Sequence, residues 1–109
     1  MIVSTIKMKI PLEKRHEALK ILKSTVRHSR IRSGFLGCHI YWDAREDDVL
    51  MFEEVWRSAE ELEHHLRSGE YRNVLLIMEM SLKHPEVRFD TVSTSSGIET
   101  IEKARSSAR

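Results

Sequence analysis

A chain of 109 residues, 40% apolar and 32% charged, is long enough for one folded domain and has the composition of a globular protein. Its 18 basic and 17 acidic residues leave a formal net charge of +1, which excludes the strongly basic surface of a dedicated nucleic-acid-binding protein. The longest apolar run, 74–78, is too short to cross a bilayer, and the first residues do not form a basic-then-apolar leader. The only cysteine, Cys38, excludes an internal disulfide and a cysteine-based zinc site, so we expect a cytoplasmic protein.

The first ten residues alternate in polarity, which predicts a strand whose two faces differ. Pro11 ends this strand because proline has no N–H for the sheet ladder. One face is mostly apolar and carries Ile2, Ser4, Ile6, Met8 and Ile10, whereas the other carries Val3, Thr5, Lys7 and Lys9.

The apolar period then changes to that of a helix, which we expect from Leu12 to Ile31. Ser33 and Gly34 are typical of a helix exit, because glycine tolerates the left-handed conformation. A second strand is predicted over 35–43, and a polar turn follows at 45–48. One face of this second strand carries Cys38, Ile40 and Trp42, and the other carries His39 and Tyr41.

The third predicted strand, 49–56, is apolar on both faces, a pattern that usually means burial on both sides. A capping box of Ser58 and Glu61 then starts a second helix, which is interrupted near Ser68 and Gly69 and continues toward Leu82. Residues 87–91 alternate as a fourth strand. The segment 94–109 is a tail that we expect to be weakly helical or disordered.

The element order is therefore β-α-β-β-α-β over a domain at 1–93, which predicts a ferredoxin-like α+β fold with an antiparallel four-stranded sheet. Right-handed crossovers place both helices on one face of that sheet and leave the other face uncovered. Because the third strand points apolar side chains to both faces, we expect a homodimer that pairs through the open face.

Several residues placed in these elements resemble a known family. Gly37, Cys38 and His39 occur in the second strand, and Glu54, Val55 and Trp56 end the third; Ser58, Leu62, His65, Leu66 and Tyr71 follow on the second helix. This combination resembles the antibiotic biosynthesis monooxygenase (ABM) family of dimeric α+β barrels, especially its quinol-monooxygenase-like members. The element order matches over about 1–93, and the sequence signal is concentrated in 35–71.

The resemblance implies an oxidoreductase that uses neither metal nor flavin, in which a small aromatic or quinol-type substrate supplies the electrons for dioxygen. It also implies a mainly apolar pocket with a group that takes the ring's proton. His65 and His39 are the candidate catalytic residues, because an imidazole titrates near neutral pH. The candidate pocket residues are Ser4, Tyr41, Met51 and Trp56.

Other interpretations remain open at this point. His65 also suits a structural hydrogen bond across the domain that shapes the fold, and Cys38 is expected to be a buried, inert thiol because His39 points to the other face. The chain could be a dimeric ligand-binding or stress-associated module without catalysis. It could also be an isomerase of a polar metabolite, provided that Lys7, Lys9 and Arg88 point inward to bind phosphate. Strand one lacks the asparagine of haem-degrading relatives, which disfavours that activity.

Overall fold

The computed structural model describes residues 1–107 and confirms the predicted α+β order. The strands are β1 (Ile2–Lys9), β2 (Phe35–Trp42), β3 (Val49–Trp56) and β4 (Glu86–Thr91). The helices are α1 (Arg15–Ser29), α2 (Ala59–Arg67), α3 (Tyr71–Glu79) and α4 (Ile98–Ser107). Part of the predicted tail is therefore helical, and its last two residues lie outside the described range.

The first helix is shorter than the predicted 12–31, because tighter turns flank it. A 3-10 turn, Leu12–Lys14, precedes α1, and the amide of Lys14 donates to the carbonyl of Pro11 at 2.9 Å. At the other end, the amide of Arg32 donates to the carbonyl of Ser29 at 3.0 Å. Such 3-10 bonds are common where helices begin and end.

The sheet has the strand order β2-β3-β1-β4, and each neighbouring pair is antiparallel. The register places Cys38, Glu54, Ser4 and Phe89 side by side, one from each strand in that order. Side chains that are paired in this way point to the same face, about 5 Å from one neighbour to the next. This "cross-sheet row" lies on the face that the helices cover.

The helix-facing side of the sheet holds the core. Ile6, Met8, Leu50 and Phe52 pack there against α1 and α3, and each of them is almost completely buried. The opposite side, which we call the open face, carries Val3, Thr5, Lys7, His39, Tyr41, Val49, Met51, Glu53 and Val55. The buried residues of α1, α2 and α3 pack against the other side of the sheet, and residues 98–106 of α4 are exposed. Within residues 1–107, no helix is both long and apolar enough to cross a membrane.

Gly34 joins α1 to β2 in a conformation that favours glycine, with a φ of +84°. A Cβ atom at this position would collide with the carboxyl group of Glu61 near the start of α2. The carbonyl of Gly34 also accepts a hydrogen bond from the amide of Arg57 at 2.8 Å. The turn therefore fixes how the end of β3 and the start of α2 meet the beginning of β2.

Gly34→Ala is expected to lower the free energy of unfolding by about 1–2 kcal/mol, because an alanine at positive φ is strained. The added methyl group also displaces the Glu61 carboxylate. Urea denaturation followed by circular dichroism measures the change. Gly37→Ala is the matched control, since its added Cβ has no heavy atom within 4 Å and Gly37 does not have a positive φ. Equal effects of the two substitutions would contradict this account of the turn.

Candidate functional site

A carboxylate lies in the middle of the buried face of β3. Leu50, Phe52, Glu54 and Trp56 alternate along this face, and Glu54 is only 1% exposed. On β1, the neighbouring Ser4 is equally buried. An ionised carboxylate in an apolar interior is strongly destabilising unless it is paired and hydrogen-bonded. The fold must therefore supply a partner for Glu54.

That partner is His65 of α2, whose side chain is completely buried. Its Nε2 atom lies 2.9 Å from Oε2 and 3.2 Å from Oε1 of Glu54, and the contact with Oε1 has hydrogen-bond geometry. Because Nε2 donates to the carboxylate, a neutral imidazole has its free lone pair on Nδ1. This arrangement leaves Nδ1 able to accept a proton from another group.

Aromatic rings enclose the pair on two sides. Trp56 stacks on the His65 ring with 4.5 Å between centroids, and Tyr71 meets the same ring edge-on at 5.2 Å. Burial, together with the negative charge of Glu54, raises the pKa of Tyr71 to about 12. Tyr71 therefore stays a neutral phenol and acts here as a wall of the site.

Four polar atoms of this cluster are buried without a hydrogen-bond partner in the described chain. They are Ser4 Oγ, Glu54 Oε2, Trp56 Nε1 and His65 Nδ1. Buried polar atoms are normally paired with protein or with water. We call the four residues that carry these atoms the "polar cluster": Ser4, Glu54, Trp56 and His65. Together they can bind a polar group that the described chain does not supply.

The cross-sheet row leads from the polar cluster to the surface at β4. Phe89 neighbours Ser4 on the helix-facing side and is 47% exposed, because the helices leave the β4 edge uncovered. An aromatic ring at a half-covered edge beside buried polar atoms offers an apolar platform for a ligand.

A cleft with a volume of about 680 Å³ opens at the start of α2. His65 contributes to its wall, but the ring itself is buried beneath charged groups. Arg57 and Ser33 donate to Glu61 there, and these bonds lower the pKa of that carboxyl to about 2. Because ion-paired residues form its walls, this cleft is a poorer match for an aromatic ligand than the edge at Phe89.

The six candidate site residues that the sequence indicates lie on two different faces of the sheet. Ser4, Trp56 and His65 meet in the polar cluster. The other three lie on the open face: His39 stacks on Tyr41 at 5.7 Å, and Tyr41 is in register with Met51. His39 and His65 therefore cannot act on one small molecule within a single chain.

His39 also has a partner of its own on the open face. Its Nδ1 atom lies 3.7 Å from the carboxylate of Glu53, and the imidazole is 62% exposed. Of the candidate phosphate ligands, Lys9 contacts Asp48 at 3.7 Å and Arg88 contacts Asp90 at 2.8 Å. The register places Lys7, Lys9 and Arg88 on the open face, so these three cations do not point inward as the isomerase hypothesis required.

Cys38 is half-buried and protonated. Burial, and then the charge of Glu54, raises the pKa of its thiol to about 12. A thiol in this state is a poor nucleophile. Residues 1–107 contain no group of three or more histidine, cysteine or acidic side chains that could hold a metal ion.

The chain is similar in sequence to a known protein family. A family model described as antibiotic biosynthesis monooxygenase matches residues 1–75. The chain belongs to this family. No curated protein sequence matches this ABM chain.

Solved structures of similar fold include several ABM proteins. A putative antibiotic biosynthesis monooxygenase from Deinococcus radiodurans has a TM-score of 0.79 at 14% identity, with 90% of this chain and 98% of that chain covered. SnoaB, a cofactor-independent oxygenase from Streptomyces nogalater that was solved as a point mutant, has a TM-score of 0.75 at 13% identity, with 86% and 94% covered. A conserved protein from Methanosarcina mazei has a TM-score of 0.76 at 22% identity, with 82% and 89% covered.

Two residues of the site, Glu54 and Tyr71, are not among the candidate site residues that the sequence indicates. In the sequence both contribute only to the family resemblance. Glu54 had a detectable signal, since it is an acidic residue at an inward position of an apolar strand. Nothing in the sequence pattern identified Tyr71 as a wall of the site.

Removing one member of the Glu54–His65 pair is expected to lower the free energy of unfolding strongly. His65→Leu leaves the Glu54 carboxylate buried and unpaired, which costs about 3–5 kcal/mol. The double variant Glu54→Leu/His65→Leu removes both polar groups, so it should be more stable than His65→Leu alone. Urea denaturation of the two single variants and the double variant forms a double-mutant cycle.

His64→Leu is the matched control for this cycle, because His64 is the exposed neighbour of His65. It should change the free energy of unfolding by less than about 0.5 kcal/mol. Strictly additive effects of the two buried substitutions would contradict a direct interaction between Glu54 and His65.

Proposed function

We propose that this protein is a cofactor-independent monooxygenase that oxidises a small aromatic or quinol-type substrate with dioxygen. The observation that carries the proposal is the polar cluster, in which a buried histidine is held by a carboxylate and has a free nitrogen in a chain of the ABM family. The fold shared with SnoaB, a cofactor-independent oxygenase, supports the same reaction class.

His65 is the proposed base. Its Nδ1 atom accepts the proton of a substrate hydroxyl, while Glu54 holds the ring in place and stabilises the imidazolium that forms. Deprotonation makes the substrate ring electron-rich enough to react with dioxygen. Trp56 Nε1 and Ser4 Oγ, which have no partner in the described chain, then donate hydrogen bonds to the resulting oxyanion.

In the overall reaction the substrate supplies all the electrons. The substrate loses two hydrogen atoms and gains one oxygen atom, and the second oxygen atom leaves as water. In this proposal the substrate ring enters at the β4 edge and packs on Phe89, and the packed core around the cluster keeps bulk water away from the reacting atoms.

We also propose that two copies pair through their open faces. Val3, Met51 and Val55 are only half-buried on that face, and Val49 beside them is apolar as well. Apolar strand faces of this kind normally pack against another sheet, about 10 Å away. His39 and Tyr41 would then lie between the two sheets, where they can line a cavity only in the dimer. A cytoplasmic location remains part of this proposal.

Oxygen uptake tests the proposed activity. The native protein should consume dioxygen with at least one member of a panel of quinols and polycyclic phenols, and anaerobic samples should form no product. His65→Asn should lower kcat/KM by about 100-fold or more, the usual contribution of a general base. His64→Asn, at the exposed neighbouring position, should leave kcat/KM unchanged.

The second candidate function, a ligand-binding module without catalysis, is favoured if aromatic ligands bind but no oxygen is consumed across the panel. That result would refute the monooxygenase proposal. Binding of a quinol, measured by quenching of tryptophan fluorescence without turnover, is the observation that separates the two.

The dimer proposal predicts the effect of a charge on the open face. Val55→Lys should convert the protein to monomers, as measured by size-exclusion chromatography with light scattering, because an uncompensated lysine would be buried between the sheets. Leu75→Lys is the matched control, since Leu75 is 48% exposed on α3 at the helix-facing side. A monomeric native protein, or a dimeric Val55→Lys variant, would contradict pairing through this face.

A further inference from the structure

The polar cluster is closed to solvent in the folded chain. Its four unpartnered atoms are all buried, and the His65 side chain, which carries the proposed base, is completely covered. A substrate hydroxyl can give its proton to Nδ1 of His65 only if it comes within hydrogen-bond distance of that atom. Some part of the cover must therefore move before a ligand can bind.

Two aromatic rings cover His65, and the fold holds them with different firmness. Trp56 is completely buried on β3, which is paired with both β1 and β2, so moving this ring would disrupt the sheet. Displacing α2 would break the buried contact between His65 and Glu54, which is strongly destabilising. Tyr71, by contrast, is the first residue of α3 and is 7% exposed. Tyr71 is therefore the part of the cover that can move at the lowest free-energy cost.

Helical hydrogen bonding is interrupted directly before Tyr71, at residues 68–70, which we call the α2–α3 connection. Ser68 ends α2 with an extended backbone, at a φ of −68° and a ψ of 155°. The amides of Tyr71, Arg72 and Asn73 then donate to carbonyls only three residues earlier, at 3.2, 3.2 and 3.1 Å. Such 3-10 bonds have poorer geometry than those of an α-helix, and a 3-10 stretch between helical segments often marks a hinge.

Gly69 lies in the middle of the α2–α3 connection, although neither backbone geometry nor packing requires a glycine there. It does not have a positive φ, and a Cβ atom added to it would have no heavy atom within 4 Å. What glycine contributes is a wider range of accessible backbone angles. Ser68 stays attached to α2, because its Oγ donates to the carbonyl of His65 at 2.7 Å. The freedom to move therefore lies between Ser68 and Tyr71.

We propose that the α2–α3 connection is a hinge, which lets the first turn of α3 swing Tyr71 away from the His65 ring and admits a ligand to the polar cluster. The motion leaves α2 in place, so Glu54 still holds the imidazole while the cluster is open. It also leaves the later part of α3 in place, because Val74 and Ile77 are completely buried in the core. This inference rests on the proposed function, since the ligand that enters is the substrate of that site.

Hydrogen exchange of the Trp56 indole tests the hinge without any ligand. Its Nε1–H is buried and has no acceptor in the described chain, so it exchanges with solvent deuterium only when the polar cluster opens. NMR of isotope-labelled full-length protein follows this proton, and Trp42→Phe assigns it because the chain has two tryptophans. In the native protein the exchange rate should be nearly constant below about 1 M urea, because a local opening exposes little surface.

Variants of the α2–α3 connection should change the indole exchange rate in opposite directions. Gly69→Ala restricts the backbone and should slow exchange about threefold. Gly37→Ala, in β2, is the matched control, because its added Cβ also has no heavy atom within 4 Å, and it should not slow exchange. Glu70→Gly should speed exchange about threefold relative to Glu70→Ala, since both remove the carboxylate but only one adds a glycine.

Backbone amides show which part of the chain moves. The amides of Tyr71, Arg72 and Asn73 should respond to Gly69→Ala as the indole does, because their 3-10 bonds are broken when the hinge opens. The amide of Ile77, in the fixed part of α3, should not respond.

Three results would overturn the hinge: indole exchange that rises steeply with urea, indole exchange that Gly69→Ala and Gly37→Ala change equally, or no response of the 71–73 amides. Oxygen uptake by the same proteins separates this inference from the proposed function. The expected exchange pattern without oxygen uptake would support the hinge and contradict the monooxygenase. Oxygen uptake without that pattern would refute the hinge alone.

Discussion

The structure depends on one buried hydrogen bond, between the His65 imidazole and the Glu54 carboxylate. A carboxylate at an inward position of β3 cannot be accommodated by apolar neighbours, so α2 must lie where its histidine reaches across to the sheet. The N-cap of α2 by Ser58 and the glycine turn at Gly34 hold the start of that helix in register with the end of β3. The same contact orients the imidazole, which leaves Nδ1 free and gives the site its proposed chemistry.

The antiparallel register determines which face of the sheet carries each of the other features. Successive cross-sheet rows alternate between the two faces, so the helix-facing side receives the core and the polar cluster, while the open face receives valines and methionine mixed with charged residues. The proposed chemistry and the proposed pairing of copies therefore lie on opposite faces of the sheet, and His39 and Tyr41 lie on the open face.

Much of the fold could be predicted from the sequence because hydrophobic periodicity directly reports which face is buried. The alternation in β1, the two-sided apolar pattern of β3 and the Ser58 cap all indicated the observed elements. The placement of Tyr41 relative to His65 could not be predicted, because it depends on which strand face the helices cover. The partner of His65 was missed for a related reason, since a contact between β3 and α2 depends on helix placement and not on periodicity.

By accepting a hydrogen bond from Nε2, Glu54 fixes the tautomer of His65. Long-range nitrogen–proton correlation NMR on histidine-labelled protein measures this directly, with the His65 resonances assigned by their loss in His65→Asn. We predict a neutral imidazole protonated at Nε2 with an unprotonated Nδ1, and a change in that pattern in Glu54→Gln. A proton on Nδ1, or the mixed tautomers of a solvent-exposed histidine, would contradict the claim.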